Sequence, residues 1–246
     1  MVSPTTLLKH VRVHTERALA LDLNLPKGTL VVAPYRYGEA NYRRFLEMAQ
    51  PREPGCLALV GLNPGAYGAT LTGIPWTDIP TANERYGLHL EGLGLCPPEL
   101  APHYGRGKAF SRTFEESSRR VYGFGDRIYG DALAFFCDAL VVNGWPLFAM
   151  NPKLDEPNVT PGHLDGASQR AIRELAAETL QGFDQRLRFR GALAFGAFAQ
   201  KVLGEAMPAD FPVVAVKHPG RSGLTREAWA DVLADQMREA GLLPLP

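Results

Sequence analysis

Three apolar runs of this sequence end in side chains that can hydrogen-bond a small molecule. Residues 56–62, CLALVGL, lead into Asn63, Pro64 and Gly65. Residues 139–143, ALVVN, end on Asn143 with Gly144 behind it. Residues 211–217, FPVVAVK, lead into His218, Pro219, Gly220 and Arg221. A carboxamide carries a donor and an acceptor, so it can hold a water or read the edge of a ring. An imidazole N–H can stabilise negative charge that gathers on a leaving group. Neither amide is a base. The set therefore points to positioning and charge stabilisation, with a weak nucleophile. The 63–65 motif holds no carboxylate to activate one.

Such tips need strands to carry them. The three runs, with GALAFG at 191–196, are short, continuous and bounded by turn signals, the pattern of strands buried on both faces. Helical patterns lie at 5–22, 39–49, 113–122, 126–137, 166–181, 197–205 and 225–240. Alternation of this kind predicts a three-layer α/β/α sandwich around a four-stranded parallel sheet. Ligands of such folds collect beyond the carboxyl ends of the strands. Pro64 and Gly65 suit the two central positions of a type II turn, with positive φ at the glycine. Each tip alone has a plain structural explanation: Asn-Pro-Gly is a common turn, and Asn143 can bond its own loop. Their shared position beyond strand ends is what favours a site.

The bulk numbers narrow the rest. The 246 residues suit one domain, 1–246, with the 5–22 helix packed on it. Net charge is zero, so a polyanion must be met by a local patch. Lys217, Arg221 and Arg226 form one basic stretch; Arg106, Lys108, Arg112, Arg119, Arg120 and Arg127 form another, against Glu115, Glu116 and Asp126. Cys56, Cys96 and Cys137 are too scattered for a disulfide framework or zinc site, and fit a reducing cytosol. His10 and His14 stand four apart but have no evident third ligand, so no metal is expected. No apolar run approaches the ~20 residues of a membrane span.

The segment GLNPGAYGATLTGIPW, 61–76, resembles the first motif of the single-strand-selective monofunctional uracil-DNA glycosylases, family 3 of the uracil-DNA glycosylase superfamily. That family carries Gly-Met-Asn-Pro-Gly-Pro-Phe-Gly followed by Thr-Gly-Val-Pro-Phe, and the spacing matches without a gap. SSRRVYGFG (117–125), VVNGWPLF (141–148), NVTP (158–161) and KHP (217–219) extend the likeness. The resemblance implies a uracil-DNA glycosylase fold, no cofactor, and hydrolysis of the uracil N-glycosidic bond in DNA for base excision repair. It implies that Asn63 positions the attacking water and His218 supports the departing base. Gly61, Leu62, Gly65, Tyr67, Trp76 and Asn143 would form the base pocket, with Gly65 on its floor and Trp76 stacked on the ring. Lys217, Arg221 and Arg226 would meet phosphates. The segment 220–224, Gly-Arg-Ser-Gly-Leu, departs from the family's Ser-Pro-Arg, which shortens the wedge that enters duplex DNA.

On this reading Asn143 accepts from uracil N3–H and donates to O4, and cytosine presents the reverse pattern. Gly65 leaves the C5 edge open, so 5-hydroxymethyluracil is expected to fit as uracil does. Lys217 should point away from His218, so no lyase activity is expected. A monomer acting on single- or double-stranded DNA in the cytoplasm (or a nucleus) completes the expectation. A shifted preference for hypoxanthine or xanthine, a silent nucleic-acid-binding relative and a small-molecule hydrolase are the alternatives.

Overall fold

The computed structural model describes residues 2–51, 54–104 and 114–243. In chain order its elements are α1 (Pro4–Leu19), β1 (Leu30–Val32), α2 (Pro34–Tyr37), α3 (Glu39–Met48) and β2 (Leu57–Gly61). Next come α4 (Ala69–Thr72), α5 (Ile79–Tyr86), α6 (Glu116–Tyr129), α7 (Ala132–Cys137) and β3 (Ala139–Asn143). Last are β4 (Phe148–Met150), β5 (Asn158–Val159), α8 (Gly166–Leu187), β6 (Gly191–Phe195), α9 (Ala197–Ala206), β7 (Val213–Val216) and α10 (Arg226–Glu239).

Four strands form one parallel sheet in the order β3-β2-β6-β7. Every residue of β2, β3 and β6 is buried, so helices must cover both faces. The α/β class and the four-stranded parallel sheet are as the sequence implies. β7 alternates exposed and buried, as an edge strand does. Register matters most for function. Gly61 stands opposite Asn143, and Phe195 opposite Val216. Two more backbone bonds extend the β2–β3 pairing past the strand ends: Gly144 N–H to Gly61 O (3.0 Å) and Trp145 N–H to Leu62 O (2.8 Å). The tips of β2 and β3 are thus fixed side by side.

Two features differ from the sequence reading. A second sheet, β1-β4-β5, is antiparallel and built from strands of two or three residues. The helix expected at 113–122 runs on to Tyr129 and ends at Gly130, which takes a left-handed φ of 77°. Asp131 then caps α7 by accepting from the Leu133 N–H (3.0 Å). Helix α1 packs on α3 and α8, and Leu7 and Leu8 join the main core.

Candidate active site

Beyond the carboxyl ends of β2, β6 and β7 opens a cavity of about 550 Å³. Its walls include Gly61, Leu62, Asn63, Pro64 and Gly65 from the β2 tip, Trp76, the segment from Phe195 to Phe198, and His218. The volume lies within the ~300–1,000 Å³ usual for ligand pockets. Asn63 Nδ2 donates to Pro64 O (3.1 Å), which leaves Oδ1 as the acceptor able to hold a water. The Gly220 N–H donates to His218 Nδ1 (3.2 Å). A neutral ring accepting at Nδ1 carries its proton on Nε2, the tautomer needed for a donor.

Trp76 folds its indole over Gly61. A Cβ on Gly61 would meet the indole at 3.1 and 3.2 Å and Asn143 Oδ1 at 2.8 Å. The ring stands edge-on to Phe195, centroids 4.1 Å apart. Its backbone sits at φ 53°, a conformation that costs a bulky residue of order 1–3 kcal/mol.

Asn143 does not line the open cavity; it lies just behind the wall that Gly61 and Trp76 make. Its Nδ2 makes a short bond to the Tyr35 hydroxyl, so the carboxamide cannot flip freely. Its Oδ1 is buried and has no hydrogen-bond partner. Its backbone carbonyl accepts from His14 Nε2 (3.1 Å). Burial holds the His14 imidazole down at about 4, so the ring is neutral. Nδ1 must then accept, which turns the Thr179 hydroxyl (2.9 Å) toward it. His14 is a structural support of the β3 tip, and no metal-binding cluster exists among the described residues.

Four expectations need correction. Gly65 is not among the positive-φ glycines, so the expected type II turn is not formed. Its smallness serves space instead: a Cβ there would overlap the Glu115 carboxyl, and so would one on Gly68. Tyr67 packs edge-on against Tyr104 and is not on the cavity wall. Among the described residues, the basic stretches are largely engaged. Arg226 and Arg120 both bind Glu116 (2.9 and 3.0 Å), and Arg127 binds Asp231 (2.8 Å). Arg119 lies over the Phe114 ring at 3.6 Å. Arg120 also holds Ser222 Oγ (2.8 Å), Leu224 O (2.8 Å) and Thr225 O (3.3 Å). Lys217 is exposed and off the cavity wall, and its carbonyl accepts from Trp229 Nε1 (3.0 Å). Arg106, Lys108 and Arg112, and the side chain of Arg221, lie outside the described residues.

The fourth correction is chemical. The motif holds no carboxylate, but the cavity wall draws two from elsewhere: Glu156, and Glu115 from the residue before α6. Its Oε1 takes a short bond from the Ser117 hydroxyl. Its Oε2 is buried without a hydrogen bond of ordinary geometry. Burial, with the Asp78 carboxyl adding to it, pushes the acid up to about 7; the Ser117 hydroxyl and the Gly68 N–H oppose the rise. Glu115 stands 50 residues beyond Gly65, and no spacing rule links the two. The residues from Glu156 to His163, brought in by β5 and the turn after it, form a further wall that the sequence signalled only through NVTP.

No family model matches the chain. It is 26% identical over 220 residues to a single-strand selective monofunctional uracil DNA glycosylase of Bos taurus, covering 88% of this chain and 79% of the relative. It is 27% identical over 196 residues to the Mus musculus protein of that name, covering 78% and 69%. The crystal structure of wild-type Pedobacter heparinus SMUG2 superposes with a TM-score of 0.68 at 18% identity, covering 94% of this chain and 98% of that one. That likeness establishes the fold.

Proposed function

We propose that this chain, similar over most of its length to the single-strand-selective monofunctional uracil-DNA glycosylases, is itself a uracil-DNA glycosylase: a hydrolase that cuts the N-glycosidic bond of uracil in DNA. One observation carries the reading beyond the likeness. Asn63, Trp76 and His218 meet on one cavity past the carboxyl ends of the parallel strands.

The uracil must leave the base stack to reach such a cavity. Trp76 repays part of that cost by stacking, worth ~1–3 kcal/mol per base. Its indole covers Asn143, so the ring must shift as the base enters. The base N3–H then meets the unpartnered Oδ1, and the second N–H of the same amide donates to O4. Tyr35 holds that orientation, and cytosine would leave the pair mismatched at ~1–3 kcal/mol per group. Departure of the base develops negative charge on O2, and His218 Nε2–H donates a hydrogen bond to it. Loss of such a donor typically costs ~2.7–4 kcal/mol in the barrier. Asn63 Oδ1 holds the water that takes the sugar carbon. Lys217 is turned to solvent, which supports glycosylase without lyase chemistry. We place the enzyme in the cytoplasm, acting on DNA as a monomer.

Incubation with a uracil-containing oligonucleotide, then alkali, tests this. Strand breakage at uracil is expected, lowered ~100-fold or more in Asn63→Ala and in His218→Leu. Binding to the oligonucleotide without breakage would refute the assignment.

A further inference from the structure

Base recognition and bond cleavage use the walls that carry Asn63, Trp76 and His218, and leave the wall from Glu156 to His163 idle. The cavity, at about 550 Å³, has room for more than a pyrimidine ring. A uridine that enters it brings its sugar and the phosphates on either side. The cations that composition offers for those phosphates are engaged among the described residues: Glu116 holds Arg120 and Arg226, and Asp231 holds Arg127.

The idle wall reads Glu-Pro-Asn-Val-Thr-Pro-Gly-His from 156 to 163. Strand β5 ends at Val159, and Pro161 opens a single tight turn over Pro161–His163. The Thr160 N–H donates to His163 Nδ1 (3.0 Å), and the Thr160 hydroxyl lies 3.1 Å from the same nitrogen. A ring that accepts a backbone N–H at Nδ1 is neutral and carries its proton on Nε2. His163 thus repeats the arrangement of His218, whose Nδ1 takes the Gly220 N–H. Asn158 lines the same wall from β5 and is half-buried. Its Oδ1 is buried, which leaves the NH₂ as the outward end of the amide.

We propose that this wall grips a phosphate beside the extruded uridine, with His163 Nε2–H and Asn158 Nδ2–H as neutral donors to its oxygens. The inference rests on the cavity being a uracil pocket. In that pocket O2 and O4 of the base already face His218 and Asn143, so the acceptors left for a second pair of donors belong to the backbone. Two outward donors suit a group that only accepts, and neutral side chains commonly meet phosphate oxygens. A hydrogen bond to an ionised acceptor is roughly twice as strong as one between neutral partners. Glu156 stands at the exposed start of the wall, where water and salt screen its charge.

The experiment joins variants that keep the turn to substrates that lack the charge. His163→Gln retains both roles: its carbonyl accepts from the Thr160 N–H, as in a capping box, and its NH₂ donates. His163→Glu retains the cap and loses the donor. kcat and KM are measured on single-stranded uracil oligonucleotides, intact or with a methylphosphonate in place of the phosphate 5′ or 3′ to the uridine. His163→Gln should stay within about threefold of the wild type, while His163→Glu and Asn158→Ala raise KM about tenfold with kcat within about threefold. At one of the two positions the methylphosphonate should cost the wild type about tenfold in kcat/KM and cost His163→Glu and Asn158→Ala less than about threefold, because their contact is already gone. Variants that match the wild type in KM, or losses that multiply at both positions, would overturn the proposal and leave the glycosylase assignment standing. No uracil excision by the wild type would overturn the assignment itself.

Discussion

Replacing Glu115 by Gln should alter stability only where the carboxyl would otherwise ionise. In the unfolded chain this acid titrates near 4.5; in the folded protein, burial pushes it up to about 7. Between those values the unfolded chain has released a proton that the folded protein retains. Stability therefore falls as pH climbs through that window and stays lower above it. Each unit of pKa is worth about 1.4 kcal/mol, so the full effect is about 3 kcal/mol. Gln keeps the outline of the side chain and an acceptor for the Ser117 hydroxyl, but it has no charge to bury. Urea titrations of both proteins at about pH 5 and about pH 8 read the difference. Relative to the wild type, the variant should gain about 2–3 kcal/mol between the two conditions. A difference of the same size at both would refute a carboxyl held neutral by burial, whatever the enzyme's substrate.

Three further outcomes follow from the same geometry. Tyr35→Phe frees the Asn143 carboxamide, so discrimination of uracil from cytosine, read as a ratio of kcat/KM, should drop roughly tenfold. An unchanged ratio would mean that the tyrosine does not hold the amide. Burial keeps His14 down at about 4 in the folded state against 6.5 unfolded, so wild-type stability should decline by up to about 3 kcal/mol as pH falls through that interval. His14→Gln should lack that slope in thermal or urea melts. Arg120→Ala should raise KM for a uracil oligonucleotide several-fold while kcat stays within about threefold, because it frees the 222–225 segment and leaves the cavity intact. An equal loss in kcat would place Arg120 in the chemistry instead.

The four long strands were legible because each is a continuous apolar run, and ALVVN begins and ends where β3 does. Asn63 and His218 were legible through their place after such runs. Strands β1, β4 and β5 were not, since two or three residues show no period. Gly65 is needed for a reason that its turn signature does not carry. Pro-Gly advertises a turn, whereas the glycine is needed because a carboxyl from another element lies against it. Glu115 itself looked like one more charge on a solvated helix. Nothing local marks an acid whose burial is set by two glycines 47 and 50 residues earlier. The basic stretches misled because composition counts charges and cannot show that Glu116 already holds two of them.

The guanidinium of Arg120 leaves the chain beyond His218 with little travel of its own. It grips that segment at three oxygens and, through Glu116, ties it to the opening turn of α6. The same turn seats Ser117 against the sealed acid. One turn of helix thus steadies both the loop after His218, through Arg120 and Glu116, and the acid on the cavity wall, through Ser117.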